Sequence, residues 1–236
     1  MNIIKNFLLK IIPKVEEFEY DTIWASRKVI KNQYLNPNAN HYYDEDIWGT
    51  VKDELKSYLQ KGITIYGEVA GYLKSGKEIQ SGYDYGCKPV EHKIFVYRIT
   101  YTNSEGRVFE FSAKQVQQWC KQNGLNAVPE LWYGTAKDLY FILFDKYIGK
   151  KLNAPYFIEY NQRDFLDLLS KEYLEGKCHL CNKDVPAEGI VLRIEKLDFE
   201  AYKLKSFAFR ERETKLLDKG IEDIEENQNE SEGDNI

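Results

Sequence analysis

Histidine is scarce in this chain, with three in 236 residues. His41 and His92 have no companion at catalytic spacing, so no histidine-centred acid–base relay is written here. Cysteine is limited to Cys87, Cys120, Cys178 and Cys181, and no secretory signal accompanies them. That usage points to a reducing compartment and a cytoplasmic location. The opening MNIIKNFLLKIIP lacks a basic n-region and a small-residue cleavage site, which excludes a signal peptide. Its apolar residues at 4, 7, 8, 11 and 12 suit an amphipathic helix, and the run falls short of the about eighteen needed to span a bilayer. No other segment comes closer, so the sequence predicts a soluble protein with no membrane partner.

Apolar residues make up 43% of the chain, and there are 18 tyrosines, a composition that folds. The length suffices for one large domain or two small ones. Charge is unevenly spread. Residues 218–236 hold eight acidic side chains against Lys219 alone, which is −7; with −5 for the whole chain, residues 1–217 are left at +2. The overall acidity therefore says little about whether the folded part binds a polyanion. The division expected is a folded domain over 1–217 and an acidic, disordered tail over 218–236.

Residues 21–29 read as a strand and about 43–60 as a helix, with Ile47, Trp48, Val51, Leu55 and Leu59 at helical spacing. GITIYGEVA at 62–70 reads as a buried strand. HKIFVYRITYT and RVFEFS flank Asn103-Ser104-Glu105-Gly106, a hairpin signal. Helices are expected over 113–123, closed by Gly124, and over 163–175, closed by Gly176. The last strands fall at 189–196 and 201–206. Helices between antiparallel strands give an α+β class.

The final pair of strands carries an unusual load of charge. Lys203 and Lys205 point the same way, roughly 7 Å apart, and repel each other unless an anion lies between them. An aggregation-resistant edge strand would carry lysines too. Glu188 precedes Gly189, where backbone can approach a ligand closely. Glu68 has the same setting after Tyr66-Gly67.

Tyr66-Gly67-Glu68, Ile94-Phe95-Val96-Tyr97, Glu188-Gly189-Ile190-Val191-Leu192-Arg193 and Lys203-Leu204-Lys205 resemble, in order and approximate spacing, the motifs of the covalent nucleotidyltransferases. YKLKSFAFRERETK and the upstream Ser26-Arg27 are most similar to the RNA ligase branch typified by the second RNA ligase of T-even phages. The resemblance runs from about residue 22 to 217. It implies an antiparallel-sheet nucleotidyltransferase (ATP-grasp-like) domain, RNA ends as partner, and a pocket for ATP or AMP. In that pocket Phe95 would stack on adenine, with Tyr97 on the same face, Glu68 would hydrogen-bond the ribose, and Arg27 would contact sugar or phosphate. Lys203 and Lys205 would neutralise the α-phosphate, and Glu188 would help hold Mg2+ or Mn2+. Each has a plainer role open to it: Phe95 in the core, Glu68 and Arg193 in ion pairs.

The family's nucleophile is the lysine of K-x-D-G, expected before Ser26-Arg27. Lys5, Lys10 and Lys14 are not followed by x-Asp-Gly. Lys196-Leu197-Asp198 opens correctly, but Phe199 replaces the glycine and the segment lies between the last two motifs, so it is assigned to a turn. With every later motif intact, the expectation is an N-terminally truncated ligase domain rather than a degenerate one. Such a chain could not adenylylate itself, although sealing of pre-adenylylated RNA does not need that lysine. A non-catalytic nucleotide- or RNA-binding pseudoenzyme is the alternative. A relative acting on DNA ends or caps fits less well, because the 31 acidic-rich residues after Lys205 leave no room for an OB-fold. Cys178-His179-Leu180-Cys181 forms a C-x-x-C knuckle that could join a zinc site only if the fold brought further ligands near.

Overall fold

The computed structural model describes residues 22–25, 30–31, 45–149 and 159–219. Ser26-Arg27, the amphipathic opening and nearly all of the acidic tail lie outside the described residues. Two short strands, β1 (Trp24–Ala25) and β2 (Ile30–Lys31), pair antiparallel, where the sequence suggested one strand over 21–29. Of the helix expected over about 43–60, residues 43–44 lie outside the described residues, and α1 spans Ile47–Leu55. Asp46 caps it by accepting from the Gly49 N–H, and a 3-10 turn, Lys56–Tyr58, ends it.

The main sheet is built on β4 (His92–Thr102). Strand β3 (Ile63–Gly71) runs antiparallel along one edge. Along the other edge lie β5 (Val108–Glu110), antiparallel, and β6 (Asn126–Ala127), parallel. Helix α2 (Ala113–Asn123) packs on one face, its Val116 and Cys120 against Val96 and Ile99 of β4. Its limits follow from its ends. Ser112 and Gln115 form a reciprocal capping box, and Gly124 turns left-handed at φ 66°.

Between Tyr66 and Gly67 the β3–β4 register slips by one: Tyr66 faces Arg98, while Gly67 faces Val96. Tyr97 is the extra residue of this bulge. Val96 and Ile99, three apart, are both wholly buried. The bulge therefore turns Tyr97 and Arg98 to the outer face that also carries Phe95.

The second half begins with α3 (Ala136–Tyr147), capped by Thr135, a helix absent from the sequence expectation. Helix α4 (Gln162–Leu169) follows, capped by Asn161. It passes into a π-helical turn, Ser170–Leu174, that ends in extended backbone at Glu175. Strands β7 (Gly189–Ile194) and β8 (Glu200–Lys205) form an antiparallel ribbon. Ile190 of the ribbon joins Leu139, Tyr140 and Leu143 of α3 and Phe165, Leu168 and Leu169 of α4 in one apolar cluster. The last helix, α5 (Phe207–Leu217), was also not anticipated; Ser206 caps it. No helix among the described residues is long and apolar enough to cross a membrane.

Candidate functional site

Glu68 and Phe95 stand directly opposite each other across β3 and β4, so their side chains share the outer face of the sheet. The ring of Tyr85 lies 6.4 Å from that of Phe95 and stacks on Tyr83 at 5.7 Å. Tyr85 in turn hydrogen-bonds Glu188 through its phenol. Lys203 Nζ sits 3.7 Å from Glu188 Oε2. Four of the six residues singled out from the sequence are thus linked through a fifth, Tyr85, that was not. Lys205 lies on the same strand face as Lys203, with Nζ 2.7 Å from Glu213 on α5. Arg27 lies outside the described residues.

Each lysine therefore has a carboxylate beside it, which revises the expectation that only an intervening anion would relieve their repulsion. The Glu188-Gly189 reading changes too. Gly189 adopts φ +148°, and a Cβ there would lie 1.9 Å from the Leu204 carbonyl oxygen. The glycine is demanded by β8's backbone, not by space for a ligand. Its effect is to deliver Glu188 to a fixed place. Ser206 completes this by donating its N–H to the Glu188 carbonyl at 2.8 Å and its hydroxyl to the Ala187 carbonyl at 2.6 Å.

Tyr85 was missed because it sits in an irregular loop with no periodic signal. Its φ of +46° is unusual for a residue with a side chain. The loop is held by buried Asp84, whose carboxylate accepts from the Gly86 and Asn182 N–H groups at 2.8 Å and from that of Lys183 at 3.2 Å. Burial works against the Asp84 carboxylate, but these donors outweigh it and its pKa is lowered. Tyr85 is the reverse case. Burial first, then the Glu188 charge and hydrogen bond, push its phenol far up, so it remains a donor. One phenol has one proton. The Glu188 carboxylate and the Gln80 side-chain carbonyl both stand as acceptors for it.

The ribbon is pinned to the sheet at its far end. Arg193 donates to the Phe111 carbonyl, and Glu195 accepts the Ala113 N–H of α2 at 2.8 Å. Phe199 lies between two guanidinium groups, 4.3 Å from Arg98 and 5.4 Å from Arg193. Arg98 is anchored by both carboxylate oxygens of Glu110. The Lys196-Leu197-Asp198 segment is the turn the sequence suggested, Leu197 is 96% exposed, and Phe199 docks it. Arg193 also pairs with Glu195 at 3.2 Å, the ion-pair role that the sequence left open to it.

Among the described residues no three His, Cys, Asp or Glu side chains gather as a metal cage. Glu188 offers one carboxylate. That donor suits Mg2+ or Mn2+ held mainly by phosphate oxygens and water, since Mg2+ takes only one or two protein carboxylates in such sites.

A family model described as RNA ligase matches residues 23–207, most of the chain. No curated protein matches the sequence.

Proposed function

The chain belongs to the RNA ligase family, and from that premise we propose that it is an ATP-dependent RNA ligase domain working on RNA ends through adenylylated intermediates. Family membership implies ATP use and an RNA substrate; the roles below are this chain's own residues fitted to them. The observation that carries the reading is the run of contacts from Glu68 and Phe95 through Tyr85 to Glu188 and Lys203. Phe95 supplies a face for adenine, and Glu68 beside it accepts from the ribose hydroxyls. Lys203 and Lys205 place two positive charges along one strand face for the α-phosphate, where preorganised charge stabilises phosphoryl transfer. Glu188, with Oε1 held by Tyr85 and Oε2 beside Lys203, would lend its carboxylate to a divalent cation bound with the phosphates. Arg27 contacts sugar or phosphate from the upstream segment. A bound divalent cation would neutralise charge on the transferring phosphoryl group.

We further propose that this chain does not adenylylate itself. Glu19-Tyr20-Asp21-Thr22 lies immediately before the matched block. It keeps an aspartate two residues after the first position, but glutamate stands where K-x-D-G has lysine and threonine where it has glycine. A carboxylate cannot form the phosphoramide that an amine forms with AMP. This fits a binding or sealing-only protein. The test is incubation with labelled ATP and magnesium followed by a denaturing gel, beside sealing of pre-adenylylated RNA. No covalent band, together with sealing that Lys203→Ala abolishes, is the expected result. A covalent AMP band on the unmodified chain overturns the inability to self-adenylylate. Absence of both ATP binding and sealing overturns the ligase reading. Glu19→Lys combined with Thr22→Gly is expected to introduce labelling.

A further inference from the structure

Cys178 and Cys181 are free thiols, both partly accessible, on a tight loop between α4 and the ribbon. The loop is closed at its base by the Lys177–Pro186 bridge and by the Cys178 N–H donating to the Val185 carbonyl at 2.9 Å. The loop brings the two sulfurs near each other, and the backbone N–H of Tyr85 lies toward the Cys181 sulfur. On the other side of that residue, Cys87 Sγ lies 3.9 Å from the Tyr85 carbonyl. Both knuckle cysteines, like Tyr85, pack against the buried cluster of Tyr83, Val185 and Phe209. No third ligand accompanies them among the described residues. A paired dithiol with no metal cage, in contact with a strained tyrosine that grips Glu188, is chemically suited to oxidation.

We propose that Cys178 and Cys181 form a reversible disulfide by exchange with a low-molecular-weight disulfide such as glutathione disulfide, and that the bond loosens Tyr85 and its hold on Glu188. The thiolate of Cys178 attacks the small disulfide, releases one thiol and forms a mixed disulfide. Cys181 then displaces the second thiol. Two protein thiols are oxidised, one disulfide is reduced to two thiols, and the two protein protons leave with them. Burial first, then the neighbouring Cys178 thiol, raises the Cys181 pKa, which assigns Cys181 the resolving step. Closing the bond brings the sulfurs to about 2.0 Å, well inside hydrogen-bonding separation. The acceptor under the Tyr85 N–H is therefore drawn away. The consequence for nucleotide binding rests on the ligase reading; the disulfide and the release of Tyr85 do not.

The full chain would be equilibrated in glutathione buffers from reducing to oxidising, then measured by intact mass, peptide mapping and hydrogen exchange. The expected result is loss of two hydrogens mapped to Cys178–Cys181. Amide exchange in the peptide carrying Tyr85 should rise about tenfold, as local opening predicts. Cys178→Ser and Cys181→Ser should each abolish both responses while keeping the reduced exchange pattern. A glutathione adduct that does not resolve, a disulfide through Cys87 or Cys120, or unchanged exchange in the oxidised chain overturns the proposal. ATP binding measured on both forms separates the two readings. Equal ATP affinity in both forms overturns the link to Glu188. ATP binding in neither form counts against the ligase reading, while the mass and exchange results decide the thiol switch by themselves.

Discussion

The Glu188 carboxylate is held by the phenol of Tyr85, 103 positions earlier in the chain. The bond joins the loop after β3 to the start of β7, and the Tyr85 ring carries the connection on to Phe95. Tyr85 therefore bridges the two walls of the candidate nucleotide site, beside the Asp84 contacts to Asn182 and Lys183 that hold its loop.

Tyr85→Phe keeps the ring contacts and removes only the donor. Loss of a hydrogen bond to a charged acceptor costs about 1.5–3 kcal/mol when the site is dry, and Glu188 is partly solvated, so the lower end is expected. Urea midpoints measure it. The same variant should alter the divalent-cation dependence of ATP binding while leaving metal-free AMP binding unchanged. A parallel loss of both would make Tyr85 a packing residue only.

Gly189→Ala tests how Glu188 is placed. The φ of +148° and the 1.9 Å approach to the Leu204 carbonyl leave a methyl group no room against rigid backbone. The strained region alone costs about 1–3 kcal/mol, and displacement of β8 adds to it. A drop in thermal midpoint of several degrees, with Lys203 and Lys205 peptides exchanging faster, is expected. Wild-type stability in this variant would contradict the geometry.

Part of this was legible from the sequence, and the limits have physical causes. Helix α2 was readable because Ser112, Gln115 and Gly124 mark its ends. Helix α3 was not, because Leu139-Tyr140-Phe141-Ile142-Leu143-Phe144 is a continuous apolar run without a 3.6-residue stripe. Helix α5 buries only Phe209, so it shows no stripe either. On β4, strict alternation places Phe95 and Tyr97 on one face. The bulge that adds Arg98 depends on pairing with β3, which no local pattern records. Tyr85 and Asp84 act through partners about a hundred residues away, beyond any window of periodicity.

Phe199→Ala removes the ring between Arg98 and Arg193. Each partly exposed cation–π contact is worth about 0.5–1 kcal/mol, so a loss of about 1–2 kcal/mol is expected. It should come with faster exchange confined to the β7–β8 turn and the facing stretch of β4. Arg98→Lys keeps the charge but cannot present a flat guanidinium to Phe199 and two parallel donors to Glu110. It should behave like the alanine variant and not like wild type. Rescue by lysine would mean that charge alone docks the turn.

Asp84 should make stability pH-dependent in a definite direction. Its pKa is lowered in the folded protein despite burial, because the Asn182, Gly86 and Lys183 backbone donors favour the ionised form. A lowered folded pKa means that the unfolded chain takes up the proton first. The stabilisation is therefore present in full above the ordinary carboxylate range and is lost as pH falls through the lowered value. Asp84→Asn keeps one oxygen for the Gly86 and Asn182 N–H groups but sets its NH2 against the Lys183 N–H, at a cost of about 1–3 kcal/mol near neutrality. Lys183 and Glu78 also act on Asp84 electrostatically, and comparing the two proteins at each pH removes most of their own titration. The gap between their urea midpoints should be widest at neutral pH and close as the pH drops. A gap of constant width down to the acid limb would show that the Asp84 charge contributes nothing to holding the Tyr85 loop.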